Sequence, residues 1–356
     1  MNYFVGVDVG GTTSTISIGD PDQRLRCISK QFPTRSLDGP EATVADITNQ
    51  IVIESEALGL NVDQLRQVSL ATPGPATIDG VLLSTPNLDA RKWNRCPIRE
   101  LLQQSLRRLN PSVGVKYIGD GQAAALGEFA IRTGAIQWDE KPLNDADSAN
   151  LTPTPTDVHT LFMVAVGTGL GGGEVRQGET IRGREGRAGH VGHLMLPVDA
   201  FRYEYDRSLK VGNALNTAES AVSLTALTHQ LGYRLTLGQW RDHPLNQAEG
   251  SIRDKAKKLR ELAAADDPLA VQLFDDQANA LGITLLMVNY IGDFDLLVIG
   301  GGVCDLSASM RERYLQTVEQ AYHQHALDGF RELPLISFSV CGDQASVIGA
   351  LLDAYR

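Results

Sequence analysis

The sequence predicts an α/β protein of about two domains. Three observations carry that expectation. Strand-like and helix-like patterns alternate along the chain. Its 356 residues are 42% hydrophobic and 21% charged, enough apolar material for two cores. Three apolar runs each stop at a glycine-rich turn.

The elements follow in order. The chain enters a strand pattern at Tyr3-Phe4-Val5, and VDVGGTTSTISIGD (7–20) sets two glycines between two extended runs. STISI alternates as a strand does, so this turn closes a hairpin and opens no helix. KYIGDGQAAALGE (116–128) reads as a short strand ending at Ile118, then an Ala-rich helix. Residues 135–160, with their Thr-Pro repeats, read as a surface insertion or linker, because proline blocks regular ladders. LFMVAV (161–166) is a buried-strand run, and GTGLGGGEV (167–175) repeats the glycine turn and resumes an extended segment. SIRDKAKKLRELAAADD (251–267) reads as one charged helix. PLAVQLFDDQANALGITLLMVNYIG (268–292) reads as a long amphipathic helix with Leu273, Ala280, Leu281, Leu285 and Val288 facing a core. LLVIGGGVCD (296–305) is the third glycine site, and it leads into a helix.

Composition excludes several classes. Formal net charge is −11 with no basic block, which disfavours wrapping nucleic acid or an anionic membrane. Cys27, Cys96, Cys304 and Cys341 lie far apart without ligand spacing, as reduced thiols of a cytosolic enzyme would. No basic, apolar leader opens the sequence, and no apolar run approaches the ~18 residues of a membrane span. The expected location is cytoplasmic. Trp93 and Trp138 are isolated, and Arg182, Arg184 and Arg187 read as solvated loop arginines.

Glycine turns after buried strands have a specific chemical use. Backbone approaches a polyanion only where no β-carbon intervenes, and successive free N–H groups then cradle phosphate oxygens. A dinucleotide fingerprint needs an immediate helix, which the first two sites lack, and no GxxxxGK[ST] occurs. One such turn is unremarkable. Three of them, with Asp8 at the mouth of the first, point to a phosphate clamp whose Asp8 holds magnesium through water.

At this level the sequence resembles the ROK group of sugar kinases and repressors. DVGGTT (8–13) is similar to that family's first phosphate loop, GTGLGGG (167–173) to its second, and IGGGV (299–303) to its adenosine-side loop. TPGPATIDGVLLSTPNL (72–88), AAALGE (123–128), GREGRAGHVGH (183–193) and GDQASVIGALL (342–352) extend the resemblance over nearly the whole chain. It implies a two-domain actin-like ATPase (ribonuclease H-like) fold with substrates meeting in an interdomain cleft. The lobes expected are 1–130, joined by the C-terminal helix 345–356, and 131–344. It also implies ATP and Mg²⁺, held by Asp8, Gly10, Gly11, Thr12, Thr13, Gly167, Thr168, Gly169, Gly300, Gly301 and Gly302. Thr13 stands where many relatives carry lysine.

Asp120 aligns with the family's general base, which accepts the proton of a sugar hydroxyl as its oxygen attacks the γ-phosphorus. Taken alone, the same residue reads at least as well as a helix cap. The implied sugar contacts are Asn87, Gly119, His190, His193 and Glu219, and two of them depart from the pattern. Gly119 replaces an asparagine beside the base, and His190 replaces a glutamate in Gly-Glu-x-Gly-His, while His193 is kept. Asn87 reads equally as a turn residue after proline. The family's cysteine cluster for structural zinc is missing from LMLPVDAFRYEYDRSLKVGNALNTAES (194–220), so no zinc site is expected.

The resemblance therefore implies an ATP-dependent kinase of a hexose or N-acetylhexosamine. A catalytically weak or silent sugar- or nucleotide-binding regulatory protein is the alternative, favoured by His190 and Gly119. Only seven residues precede Asp8, too few for the winged helix of the family's repressors, so no nucleic acid is expected as a partner. The family's larger lobe often forms a homodimer; the sequence fixes no oligomeric state.

Overall fold

The computed structural model describes residues 1–85, 88–138, 157–330 and 335–356. Two compact units form. The first comprises Met1–Met163, Gly173–Gly189 and Val340–Arg356, and the second comprises Val164–Gly172 and His190–Ser339.

The first unit is built on a sheet ordered β3-β2-β1-β5-β6, with β4 also pairing β2. Its strands are β1 (Tyr3–Val9), β2 (Thr13–Gly19), β3 (Leu25–Ile28), β4 (Phe32–Pro33), β5 (Leu65–Thr72) and β6 (Gly114–Gly119). β1 and β2 form the antiparallel hairpin that the alternation of STISI predicts, while β1, β5 and β6 run parallel. Helices α1 (Pro40–Ala57), α2 (Ala90–Trp93), α3 (Ile98–Arg107) and α4 (Asp120–Thr133) follow in chain order. Val5, Val7, Ile16, Ile18, Ile47, Ile51, Leu70 and Leu102 are wholly buried in one cluster. Trp93 belongs to that core, its indole N–H donating to Ser36 O at 2.9 Å.

The chain's last helix, α12 (Ala345–Tyr355), packs on α4 and on β1 in this unit. Its approach to α4 is closer than side chains permit. A β-carbon on Gly127 would lie 1.9 Å from Ala345 O, and one on Gly349 would lie 1.7 Å from Ala123 O. At the same crossing Glu128 and Arg132, both buried, pair at 2.9 Å, and Glu128 accepts the Val340 N–H at 2.7 Å. These contacts fix where α12 begins.

The second sheet is ordered β11-β10-β7-β8-β9, from β7 (Thr160–Val166), β8 (Leu170–Arg176), β9 (Glu179–Thr180), β10 (Leu296–Gly301) and β11 (Leu335–Phe338). β10 is buried from Leu296 to Gly300 and pairs β11 in parallel, as a continuous apolar run should. The helices of the second unit are α5 (Ala218–Ala221), α6 (Leu224–Arg234), α7 (Pro244–Gln247), α8 (Ile252–Lys257), α9 (Leu259–Ala264), α10 (Pro268–Gly292) and α11 (Ala308–His325). In α10 the five residues expected in a core are buried. The single charged helix expected at 251–267 is instead two short ones, α8 and α9, meeting at Lys258. Most of the 135–160 segment, residues 139–156, lies outside the described residues. No disulfide joins the four cysteines; Cys96 and Cys341 are buried and the other two half-buried. No helix among the described residues is long and apolar enough to cross a membrane.

Candidate active site

Three parallel strands of the first unit end side by side. Asp8 of β1 pairs with Ala71 of β5, and Thr72 of β5 pairs with Gly119 of β6. The carboxyl ends of neighbouring parallel strands line one edge, where ligands of such sheets commonly sit. Asp8 and Asp120 therefore stand at the same edge.

Beyond Asp8 the chain turns back through Gly10, whose N–H donates to Thr13 O at 2.8 Å. A β-carbon on Gly10 would come within 2.9 Å of that oxygen, so glycine alone fits the corner. The Gly10 amide thus closes the turn, whereas those of Gly11 and Thr12 donate to no protein group among the described residues. Thr13 already belongs to β2. The amides of Gly11 and Thr12 are therefore open to an anion.

Asp8 is half-buried, and its Oδ1 accepts from the Ser346 hydroxyl of α12 at 2.9 Å. Burial pushes its carboxyl up to about 7; the Ser346 bond opposes that rise, and the charges of Asp120 and Asp343 add to it. Asp120 is the first residue of α4, behind Gly119, which as N-cap offers no side-chain bond. Its Oδ1 accepts from the Gly121 N–H at 2.7 Å, and Oδ2 accepts from no other residue among the described ones. Desolvation pushes this carboxyl up to about 6, against its backbone hydrogen bonds. The Asp120 side chain is nonetheless exposed to water.

A loop of the first unit, 182–189, flanks α4. Arg182 is no solvated arginine: its guanidinium donates to Tyr117 O at 2.6 Å. Gln122, one turn into α4, donates to Gly186 O at 3.3 Å and to Ala188 O at 3.0 Å. Arg184 and Arg187 are exposed.

In the second unit, the turn between β7 and β8 is closed by the Gly167 N–H donating to Gly169 O at 2.9 Å. Its outer carbonyls are held by the start of α6, where the Leu224 N–H donates to Gly167 O at 2.9 Å and the Thr225 hydroxyl to Thr168 O at 2.8 Å. Gly167 and Thr168 are exposed. Glu219 is tied to this loop, its Oε2 accepting the Leu170 N–H at 2.8 Å. A β-carbon on Gly169 would come within 2.5 Å of the same oxygen. After β10, Gly301 has φ +81°, and a β-carbon there would fall 2.4 Å from Val166 O. Gly300 is buried, and Gly302 O accepts from Arg260 at 3.2 Å.

His190 and His193 flank one short turn of the second unit, both exposed, with ring centroids 6.2 Å apart. Among the described residues no group of three His, Cys, Asp or Glu is placed to hold a metal. The cysteine-free stretch that follows is held otherwise. Arg234 donates to both oxygens of Asp206, at 2.7 and 2.8 Å, and to Asp276 at 3.2 Å, with its guanidinium 4.2 Å from the centre of the Tyr203 ring.

The structure thus gathers Asp8, the Gly10–Thr13 turn and Asp120 in one unit, and Gly167–Gly169 with Glu219 in the other. Asn87 lies outside the described residues. Ser346 was the partner that sequence reading did not assign, although GDQASVIGALL had marked its segment.

Comparison with known proteins adds the following. A profile of the ROK family matches residues 143–354. The chain is 23% identical over 350 residues to a glucokinase of Halalkalibacterium halodurans, covering 98% of this chain and 93% of that protein. It is 29% identical over 212 residues to an N-acetyl-D-glucosamine kinase of Vibrio vulnificus, covering 59% of this chain and 58% of that one. Among solved structures, a ROK hexokinase from Thermus thermophilus matches with a TM-score of 0.72 at 25% identity over 99% of this chain and 98% of its own. A ROK family glucokinase from Streptomyces griseus, in complex with glucose and AMPPNP, matches with a TM-score of 0.71 at 22% identity over 99% of each chain.

Proposed function

The chain belongs to the ROK family and has the actin-like ATPase fold, and from that premise we propose an ATP-dependent sugar kinase with Asp120 as general base. The acceptor is a hydroxyl of a hexose or N-acetylhexosamine. Relatives named for glucose and for N-acetylglucosamine both support that class. One observation carries the role of Asp120. Its carboxylate stands at the strand-end edge with one oxygen fixed by the Gly121 amide and the other without a donor from any other residue among the described ones.

The chemistry asks little more of the protein. As the sugar oxygen attacks the γ-phosphorus, Asp120 takes the hydroxyl proton, the new O–P bond forms, and the bond to the ADP oxygen breaks. A base held near its working pH contributes on the order of 10²–10⁴-fold. The free amides of Gly11 and Thr12, with Gly167–Gly169 of the second unit, would hold phosphate oxygens, and Gly300–Gly302 would face the adenosine side. Hard oxygen donors suit Mg²⁺, and Asp8, raised to about 7 by burial and neighbouring acids, fits a cation that would relieve that charge. Asp8 would hold it through water, and when bound it would neutralise charge on the phosphates. His190, His193, Glu219, Gly119 and Asn87 are proposed to meet the sugar.

The test is ADP release with a panel of hexoses and acetylated hexosamines, run on the wild type and on Asp120→Asn. The variant should keep nucleotide affinity and lose about 10²–10⁴-fold in kcat. A rate left intact by the substitution would end the assignment of Asp120. A wild type that binds sugar and nucleotide yet never releases ADP would establish the silent, regulatory reading that Gly119 and His190 favour.

A further inference from the structure

A groove of about 660 Å³ opens along β3 of the first unit, and its lining includes Asp20, Asp22, Arg24, Arg26 and Trp138. None of the groups assigned above to phosphate, base or sugar lines it. β2 runs from Thr13 at the glycine turn to Gly19, and seven extended residues span about 20 Å. The turn that carries Asp20 to Arg24 therefore stands about that far from the phosphate turn.

The groove is built on a buried acid. Asp20 is 5% exposed, and its Oδ1 accepts from the N–H groups of Asp22 at 3.0 Å and Arg24 at 3.1 Å. Its Oδ2 accepts from Arg26 Nη1 at 3.3 Å. Leu25 faces Gly19 and Cys27 faces Ile18, so Arg26 is the extra residue of a bulge, a device that re-aims a side chain. Leu25 is buried, whereas Arg24 and Arg26 on either side of it are exposed. Arg26 gives Asp20 one nitrogen, and the Arg24 guanidinium has no partner among the described residues. Trp138 is brought here because the chain after α4 pairs with the same edge. The Leu25 N–H donates to Gln137 O at 2.9 Å, and the Gln137 N–H donates to Gln23 O at 3.0 Å. Trp138 is half-buried, yet it makes no hydrogen bond or ring contact among the described residues.

Three kinds of group thus meet. Guanidinium forks match phosphate oxygens and form charge-assisted bonds with them. The exposed Asp22 carboxylate only accepts, so it suits sugar hydroxyls and repels a bare anion. An indole offers an apolar face to the C–H side of a pyranose. Inorganic phosphate would leave Trp138 unused, and a neutral sugar would leave the guanidiniums unmatched. We propose that this groove binds a hexose phosphate, the class of compound the kinase reaction releases, apart from the site where it forms. The identity of the ligand rests on the sugar-kinase reading; its binding can be measured without turnover.

Binding of glucose 6-phosphate and of N-acetylglucosamine 6-phosphate is followed by calorimetry. AMPPNP and the sugar that binds most tightly are kept at saturation, so that the site of transfer is filled. Wild type should bind at least one of the two phosphates, and inorganic phosphate about tenfold more weakly. Arg24→Gln should weaken that binding about tenfold, with kcat and both KM values within about twofold of wild type. Because Arg24 makes no side-chain bond, its removal leaves the melt unchanged. The ligand should also change the fluorescence of wild type and leave that of Trp138→Phe unaltered. Equal binding to Arg24→Gln and wild type, or a fluorescence change that survives in Trp138→Phe, would place the ligand elsewhere and refute the proposal. Inorganic phosphate that binds as tightly as either hexose phosphate would refute it too. A protein that binds hexose phosphate here but releases no ADP with any sugar overturns the kinase reading alone. One that releases ADP and binds no hexose phosphate once the site of transfer is filled overturns the groove alone.

Discussion

Ser346→Ala isolates the one side-chain hydrogen bond that, among the described residues, holds Asp8 toward its ionised form. The hydroxyl donates to Asp8 Oδ1 at 2.9 Å and opposes the burial that raises the acid to about 7. A hydrogen bond to a charged group is worth about 1.5–3 kcal/mol. At about 1.4 kcal/mol per pKa unit, removing it lifts Asp8 by about one to two units, to about 8–9. At about pH 7 the ionised fraction then falls from about one half to about 10% or 1%, roughly five- to fiftyfold. The assay is kcat/KM for ATP across pH. The variant's acidic limb should move to higher pH, and its rate should converge on wild type in alkali, where Asp8 is ionised in both. Asp8 and Asp120 repel each other, so the limb reports the pair. Stability has a defined sign too. A carboxyl raised in the native state favours folding below its ordinary pKa, and that advantage is lost as pH rises through about 7. In Ser346→Ala the loss continues to higher pH, which melting of ligand-free protein detects. An equal loss of rate at every pH, or an unmoved limb, would show that Ser346 does not tune Asp8.

Two further substitutions test what positions the site. Gly349→Ala forces a β-carbon to 1.7 Å from Ala123 O, so α12 and α4 must separate. Overpacking of that kind costs about 3 kcal/mol, a fall in melting temperature of about 6–12 °C, and a melt within about 2 °C of wild type would refute it. In the second unit, Arg234→Lys gives up the forked pairing to Asp206, which a lysine cannot reproduce, and should cost about 2 kcal/mol in urea denaturation. Phenanthroline, in contrast, should leave the ligand-free melt unchanged; a chelator-induced drop would mean that a metal holds the 194–220 segment after all.

How much of this was legible follows from where each signal is stored. The β1–β2 hairpin was readable because period-two alternation on either side of a glycine turn is local. Helix α10 was readable for the same reason, and Asp267 confirms its start by accepting the Leu269 and Ala270 amides. The break at Lys258 was not, since every residue from Ile252 to Ala264 tolerates a helix and nothing local names the interruption. Arg182 read as a solvated cation because its acceptor, Tyr117 O, lies 65 positions away in the sequence.

The same division runs through the site. The identity of the acids is stored locally: Asp8 ends an apolar strand and Asp120 opens an Ala-rich helix. Their ionisation is not. Asp8 is set by a serine 338 positions away, delivered because two glycines let α12 lie against α4. Glu219 likewise meets the second glycine turn across 49 positions, and no pattern near either residue announces the bond. Gln122 combines both kinds of information. Its place two residues after Asp120 is plain from the sequence, but the direction of its amide appears only once Gly186 and Ala188 are seen to accept from it. A motif therefore says which groups can react, whereas long-range packing decides at what pH they do so. Substitutions at Ser346 or Gly349 should accordingly alter the behaviour of Asp8 without touching any residue of the glycine turns.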